Sequence, residues 1–120
     1  MKRKILIIGA TPNTARYANK AAVRLVYTGH KIVNIGIKKG TVAGKPIEPA
    51  GKIYPNIHTI TLYINSTRQS EYYDYILKTK PKRLIFNPGA ENEKFMARAR
   101  EAGIDAIEAC TLVMLATNQF

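Results

Sequence analysis

Apolar and polar positions in this chain alternate between two periods. Lys4-Ile5-Leu6-Ile7-Ile8 is a short β-branched run closed by Gly9, the pattern of a strand buried on both faces. From Thr14 to Thr28 the spacing turns helical, with Ala18, Ala21, Ala22, Leu25 and Val26 recurring on one face and Gly29 as the stop. Lys31-Ile32-Val33-Asn34-Ile35 follows at once, so the opening segment predicts a βαβ crossover with parallel strands. Periodicity then fails from Gly36 to His58. Gly40, Gly44 and Gly51, with Pro46, Pro49 and Pro55, leave no room there for a second full helix and predict a loop or hairpin-like crossover.

Thr59 to Ile64 alternates β-branched and aromatic residues and predicts a third strand. Ser66 or Thr67 is placed to cap a helix through Leu77, with Glu71 and Asp74 early and Lys78 and Lys80 late, the order the macrodipole favours. Pro81 ends it. Arg83 to Phe86 predicts a fourth strand, Asn87-Pro88-Gly89 a turn, and Asn92 to Ala102 a helix stopped by Gly103. Ile104 to Ile107 predicts a fifth strand, and Thr111 caps a short last helix over Leu112 to Ala116. The alternation predicts an α/β chain: a single Rossmann-like domain over residues 1–120, about five parallel strands with helices on both faces. Ligands of such sheets bind outside the carboxyl ends of the strands, where the strand order reverses.

Composition narrows the class. A length of 120 residues suits one core rather than two, and 46% apolar with 22% charged residues excludes a disordered or fibrous chain. The longest apolar stretches, Ile5 to Ile8 and Leu112 to Ala116, fall far short of the roughly 20 residues a membrane span needs. Met1-Lys2-Arg3-Lys4 begins like an export signal, but the apolar run after it stops at Gly9. The lone Cys110 excludes an internal disulfide and a multi-thiolate metal site, and suits a reducing compartment. The expected setting is the cytoplasm, with no membrane partner.

Charge then changes the picture. The chain carries 19 basic and 8 acidic side chains, a net charge of +11 that calls for an anionic partner. Surplus surface lysine for solubility is the alternative explanation. The chemistry concentrates after the first strand, in Gly9-Ala10-Thr11-Pro12-Asn13-Thr14-Ala15-Arg16-Tyr17. Gly9 permits a tight turn, Thr11, Asn13 and Thr14 carry short polar side chains, and the helix that follows aims its positive end at the same spot. Arg16 adds a cation suited to a phosphate. The competing reading makes Thr11 and Asn13 mere helix caps.

A dinucleotide fingerprint requires three spaced glycines here, and only Gly9 is present. An acid after the second strand is also missing; Lys38 and Lys39 stand there instead and suit an extra ribose phosphate, as in NADP or coenzyme A. At this point the chain resembles the small stand-alone CoA-binding proteins related to the nucleotide-binding domain of succinyl-CoA synthetase. The residues that carry the resemblance are Lys4 to Asn13 with Arg16, Gly29-His30-Lys31-Ile32-Val33, Tyr63-Ile64-Asn65, Phe86-Asn87-Pro88-Gly89-Ala90 and Glu108-Ala109-Cys110-Thr111.

The resemblance implies coenzyme A or an acyl-CoA bound in extended form over the strand ends by a carrier, sensor or accessory protein. Gly9, Thr11, Asn13 and Arg16 would hold the pyrophosphate, with Ala10, Pro12 and Tyr17 in the same loop. Lys38 and Lys39 would meet the adenosine and its 3′-phosphate. Asn65, Asn87, Pro88 and Gly89 would border the adenine or the pantetheine arm. Two departures from the commoner family pattern stand out: Gly36-Ile37 stands in place of a Val-Asn-Pro ending, and the arginine usual right after the third strand is missing, with Arg68 four positions past Ile64.

No acid–base or nucleophilic constellation is visible, and no metal motif. His30 and His58 fall at the amino ends of strands, away from the expected ligand. Cys110 falls at the binding edge, as a packing residue or a thiol able to exchange disulfides with bound CoA. Tyr72 and Tyr75 share a helical face and are expected to pack on the sheet, with Tyr73 more exposed. Two other classes stay open: an NADP-binding reductase or reductase subunit, and a non-specific nucleic-acid binder, the latter disfavoured by the glycine loop. An exposed edge strand could pair with a second copy.

Overall fold

The computed structural model describes residues 2–120; Met1, where the export-like start and the expected domain begin, lies outside the described residues. Seven strands form one sheet: β1 (Lys4–Ile8), β2 (Lys31–Ile35), β3 (Thr41–Val42), β4 (Lys45–Glu48), β5 (Thr59–Leu62), β6 (Arg83–Phe86) and β7 (Asp105–Glu108). Their order is β3-β4-β2-β1-β5-β6-β7. The five strands expected from sequence are β1, β2, β5, β6 and β7, each parallel to its neighbours. The architecture is thus a Rossmann-like α/β sheet flanked by helices.

The irregular stretch supplies the other two strands. β3 and β4 form an antiparallel hairpin, and β4 lies parallel to β2. Its tip is Ala43-Gly44, both at positive φ (52° and 81°), the geometry of a two-residue turn whose twist suits a hairpin. Asn34, buried in β2, holds the hairpin by donating Nδ2 to the Val42 and Lys45 carbonyls at 3.1 and 3.2 Å. Buried Val42, packed in the cluster with α1, and the Gly36 N–H donating to the Glu48 carbonyl at 3.0 Å hold it as well.

Among the described residues five helices cover the sheet: α1 (Tyr17–Tyr27), α2 (Ser66–Gln69), α3 (Tyr73–Thr79), α4 (Glu93–Glu101) and α5 (Thr111–Ala116). β1 lies at the centre, and Ile5 to Ile8 are fully buried because each face has its own cover. Ile5 and Ile7 pack with Ala18, Ala22 and Leu25 of α1; Leu6 and Ile8 belong to a larger cluster with Tyr72, Tyr75, Ile76, Phe95 and Ala99. Each such aliphatic side chain contributes roughly 1.5 to 3 kcal/mol on burial.

The helix expected over 66–77 is broken by a 3-10 turn at Ser70–Tyr72 into α2 and α3. Its cap is Asn65 rather than Ser66 or Thr67: the Asn65 Oδ1 accepts from the Arg68 N–H at 3.0 Å. The break lets Tyr72 and Tyr75 both turn into the core, while half-buried Tyr73 stacks on Phe95 with ring centroids 4.0 Å apart. The cap of α5 is Cys110, and Thr111 instead buries its hydroxyl against that of Thr61 at 2.8 Å. Among the described residues no helix is long and apolar enough to cross a membrane.

Candidate functional site

The strand order reverses at β1, since β2 pairs on one side of it and β5 on the other. At the carboxyl ends of these strands the chain forms a cleft of about 410 Å³, lined by segments following β1, β2, β5 and β6. Two glycines make room for it. Gly9 sits at φ +97°, and a Cβ there would come within 3.0 Å of Ile64 and 3.1 Å of the Tyr63 carbonyl. At Gly36 a Cβ would lie 2.5 Å from the Ala10 carbonyl oxygen. The segments after β1, β2 and β5 are therefore packed at backbone distance.

Hydrogen bonds fix the loop after β1 and show which donors it keeps free. The Gly9 and Ala10 N–H groups donate to the Ile35 carbonyl at 2.9 and 3.0 Å, so they tie the loop to β2 and are not free for a ligand. Asn13 folds back locally: its N–H donates to the Thr11 hydroxyl at 3.2 Å and its Oδ1 accepts from Ala15 at 3.0 Å. Asn19, buried on α1, donates to the Thr11 carbonyl at 3.0 Å and clamps loop to helix. Thr11 and Asn13 thus shape the loop and do not cap α1. The cap position is Arg16, extended at ψ 145°, with no side-chain acceptor for the helix N–H groups. Arg16, Tyr17 and Ala18 line the cleft, so the uncapped end of α1 opens into it.

Three cations surround this opening. Arg16 comes from the start of α1, Lys38 from the segment after β2, and Arg68 from α2. The Arg68 side chain makes a loose contact with Glu71 at 3.9 Å. No carboxylate, imidazole or thiol is among the lining residues. The far wall is Tyr63, Ile64, Tyr72, Pro88 and Gly89. Burial, with a smaller contribution from nearby Cys110, pushes the Tyr63 phenol up to about 12, so it stays protonated. Its buried hydroxyl has no hydrogen-bond partner among the described residues. A partly cationic cleft at a strand-order switch, beside an open helix N-terminus, has chemistry that suits an anionic ligand.

The sequence matches the CoA binding domain family over residues 3–116. The chain belongs to this family. Among solved structures, this CoA-binding-domain chain is similar to a crystal structure of an uncharacterized protein, with 48% identity, a TM-score of 0.98 and coverage of 100% of this chain and 99% of the other. A Thermus thermophilus protein at 15% identity has a TM-score of 0.85, covering 98% and 90% of the two chains. A hypothetical protein from Pyrococcus horikoshii OT3, at 23% identity, has a TM-score of 0.86 and coverage of 98% and 83%. The last two share the fold. No curated protein matches.

Within this CoA-binding domain the residues singled out from sequence divide into two groups. Gly9, Ala10, Thr11, Arg16, Tyr17, Lys38, Asn65, Pro88 and Gly89 line the cleft. Pro12, Asn13 and Lys39 are exposed outside its lining, with Pro12 packed beside Gly40. Asn87 lies beneath the site, 1% exposed, and spends its carboxamide on Thr61, Leu62 and Thr111. Cys110 is half-buried at the start of α5 and does not line the cleft. Sequence reasoning did not assign Ala18, Gly36, Ile37, Tyr63, Ile64, Arg68 or Tyr72 to the site. The signal for Arg68 was Asn65: read as the helix cap, it places Arg68 in the first turn, facing the same strand end.

Proposed function

We propose that this protein binds coenzyme A or an acyl-CoA in the cleft, as a non-catalytic carrier, sensor or accessory protein. The observation that supports this reading best is the uncapped N-terminus of α1 opening between Arg16, Lys38 and Arg68. CoA carries a pyrophosphate and a separate 3′-phosphate, and three cations on three different elements suit two anionic centres better than one. In this reading Arg16 and the first N–H groups of α1 hold the pyrophosphate, with Thr11 beside them. Lys38 takes the 3′-phosphate. Asn65, Pro88 and Gly89 border the pantetheine arm, while Gly9, Ala10 and Asn13 act by setting the shape of the loop. The lack of a carboxylate, imidazole or thiol in the lining supports binding without catalysis.

Calorimetric titration with CoA, 3′-dephospho-CoA, NADP and NAD tests the reading. CoA should bind most tightly and lose affinity when its 3′-phosphate is removed. Arg16→Ala should weaken CoA by about 1.5 to 3 kcal/mol, the range for a hydrogen bond to a charged group. Binding of NADP in preference to CoA would move the protein to the reductase class.

A further inference from the structure

The two faces of α1 have different fates. Ala18, Ala21, Ala22 and Leu25 are buried, and Ala18, Ala22 and Leu25 pack with Ile5 and Ile7 of β1. The opposite face stays in water. Lys20, Val23, Arg24 and Tyr27 are all exposed and stand three and four residues apart, so they form one stripe along the helix. Val23 is 51% and Tyr27 80% exposed, with Val26 at 39% on the flank of the stripe. The helix carries no carboxylate, and Glu48 is the only acid among residues 1–60, which supply β1 to β4 as well as α1. Apolar side chains are thus left in water within a field of one sign.

We propose that this face of α1 docks an acidic amphipathic helix of another protein. Carboxylates of such a helix meet Lys20 and Arg24, while its apolar ridge covers Val23, Val26 and Tyr27. Other occupants use less of the face. A second copy of this chain would set the cations against themselves, because a two-fold contact joins a patch to its own image. A nucleic acid would use the cations but leave both valines idle, and the Arg24 guanidinium already lies over the Tyr27 ring, 5.7 Å from its centre, where a base would stack. A lipid surface takes up a broad apolar face, and that of α1 is spent on the core. Tyrosine and arginine side by side among aliphatic residues have the composition of a protein–protein contact. The inference is independent of what the cleft binds.

The test measures fluorescence anisotropy of a labelled synthetic helical peptide, with leucines on one face flanked by glutamates, against the full chain. The wild type should bind this peptide about ten-fold more tightly than a copy with glutamines in place of the glutamates, and less tightly as salt rises. A Val23→Ser/Tyr27→Ser variant and a Lys20→Glu/Arg24→Glu variant should each bind about ten-fold more weakly, the effect of losing one strong contact residue. The first variant keeps every charge, so its loss separates docking on this face from attraction by net charge alone. All four positions are exposed, and unchanged circular dichroism shows that the variants fold. No binding of the glutamate peptide, or binding that both variants retain, overturns the proposal. So does a DNA duplex, or a vesicle of phosphatidylcholine and phosphatidylserine, that binds more tightly than the peptide and is released by the same substitutions. None of these results bears on the CoA reading, which the calorimetric titration tests separately.

Discussion

At the scale of single residues, Asn87 and Arg16 illustrate two different uses of a polar side chain at a strand end. The Asn87 Nδ2 donates to the Thr61 hydroxyl at 2.6 Å and the Leu62 carbonyl at 2.9 Å, while its Oδ1 accepts from the Thr111 N–H at 2.9 Å. It ties β5, β6 and α5 together beneath the cleft. Asn87→Ala would strand these buried partners, and urea denaturation should show a loss of about 2 to 3 kcal/mol. The resemblance implied that Asn87 borders the ligand; the residue pattern locates the strand end, but not which side chain there turns inward. Arg16 was readable because a long cation has no place in the core of a helix packed through alanines, so it must face out at the loop.

At the scale of elements, strands with continuous apolar runs were legible because burial on both faces leaves no other pattern. β1 follows from it directly, whereas β5 shows in its β-branched alternation and β2, β6 and β7 in short apolar runs next to turn or helix-stop residues. The hairpin was only half legible. Its tip is Ala43-Gly44 rather than an asparagine–glycine turn, and its anchor is a buried asparagine on another strand, which no local window contains. Helix breaks depend on tertiary context too, as the 3-10 turn before α3 shows. The far edge of the sheet has its own device. Arg100 on α4 donates through Nε and Nη2 to the Ala106 carbonyl of β7 at 3.2 and 2.9 Å, closing an acceptor that an edge strand would otherwise offer to another chain. Arg100→Ala should cost about 1 kcal/mol in denaturant melts. It should also speed amide exchange along β7.

At the scale of the whole molecule, charge separates the two ends of the sheet. The carboxyl end gathers cations around an open cleft, whereas the amino end buries basic groups against one another. His30 accepts the Arg3 N–H at 2.9 Å, and His58 Nδ1 lies 2.7 Å from the Thr59 hydroxyl. Both imidazoles are lowered from 6.5, by burial first and then by Arg3, with Arg83 acting on both and Lys82 on His58. Near and below the ordinary histidine value the unfolded chain therefore binds more protons than the folded one. The stabilising contribution is complete above about pH 6.5 and fades as pH falls toward the lowered folded values. Urea midpoints at about pH 7.5 and about pH 5.5 should show the loss, and a His30→Gln/His58→Gln variant should show less of it. The contact of Gly36 with the Ala10 carbonyl has an evolutionary side. A side chain can enter position 36 only if the peptide at Ala10 moves, so a change in the ending of β2 is tied to a change in the turn after β1. A descendant with a bulkier residue there would have to redraw the turn beside it.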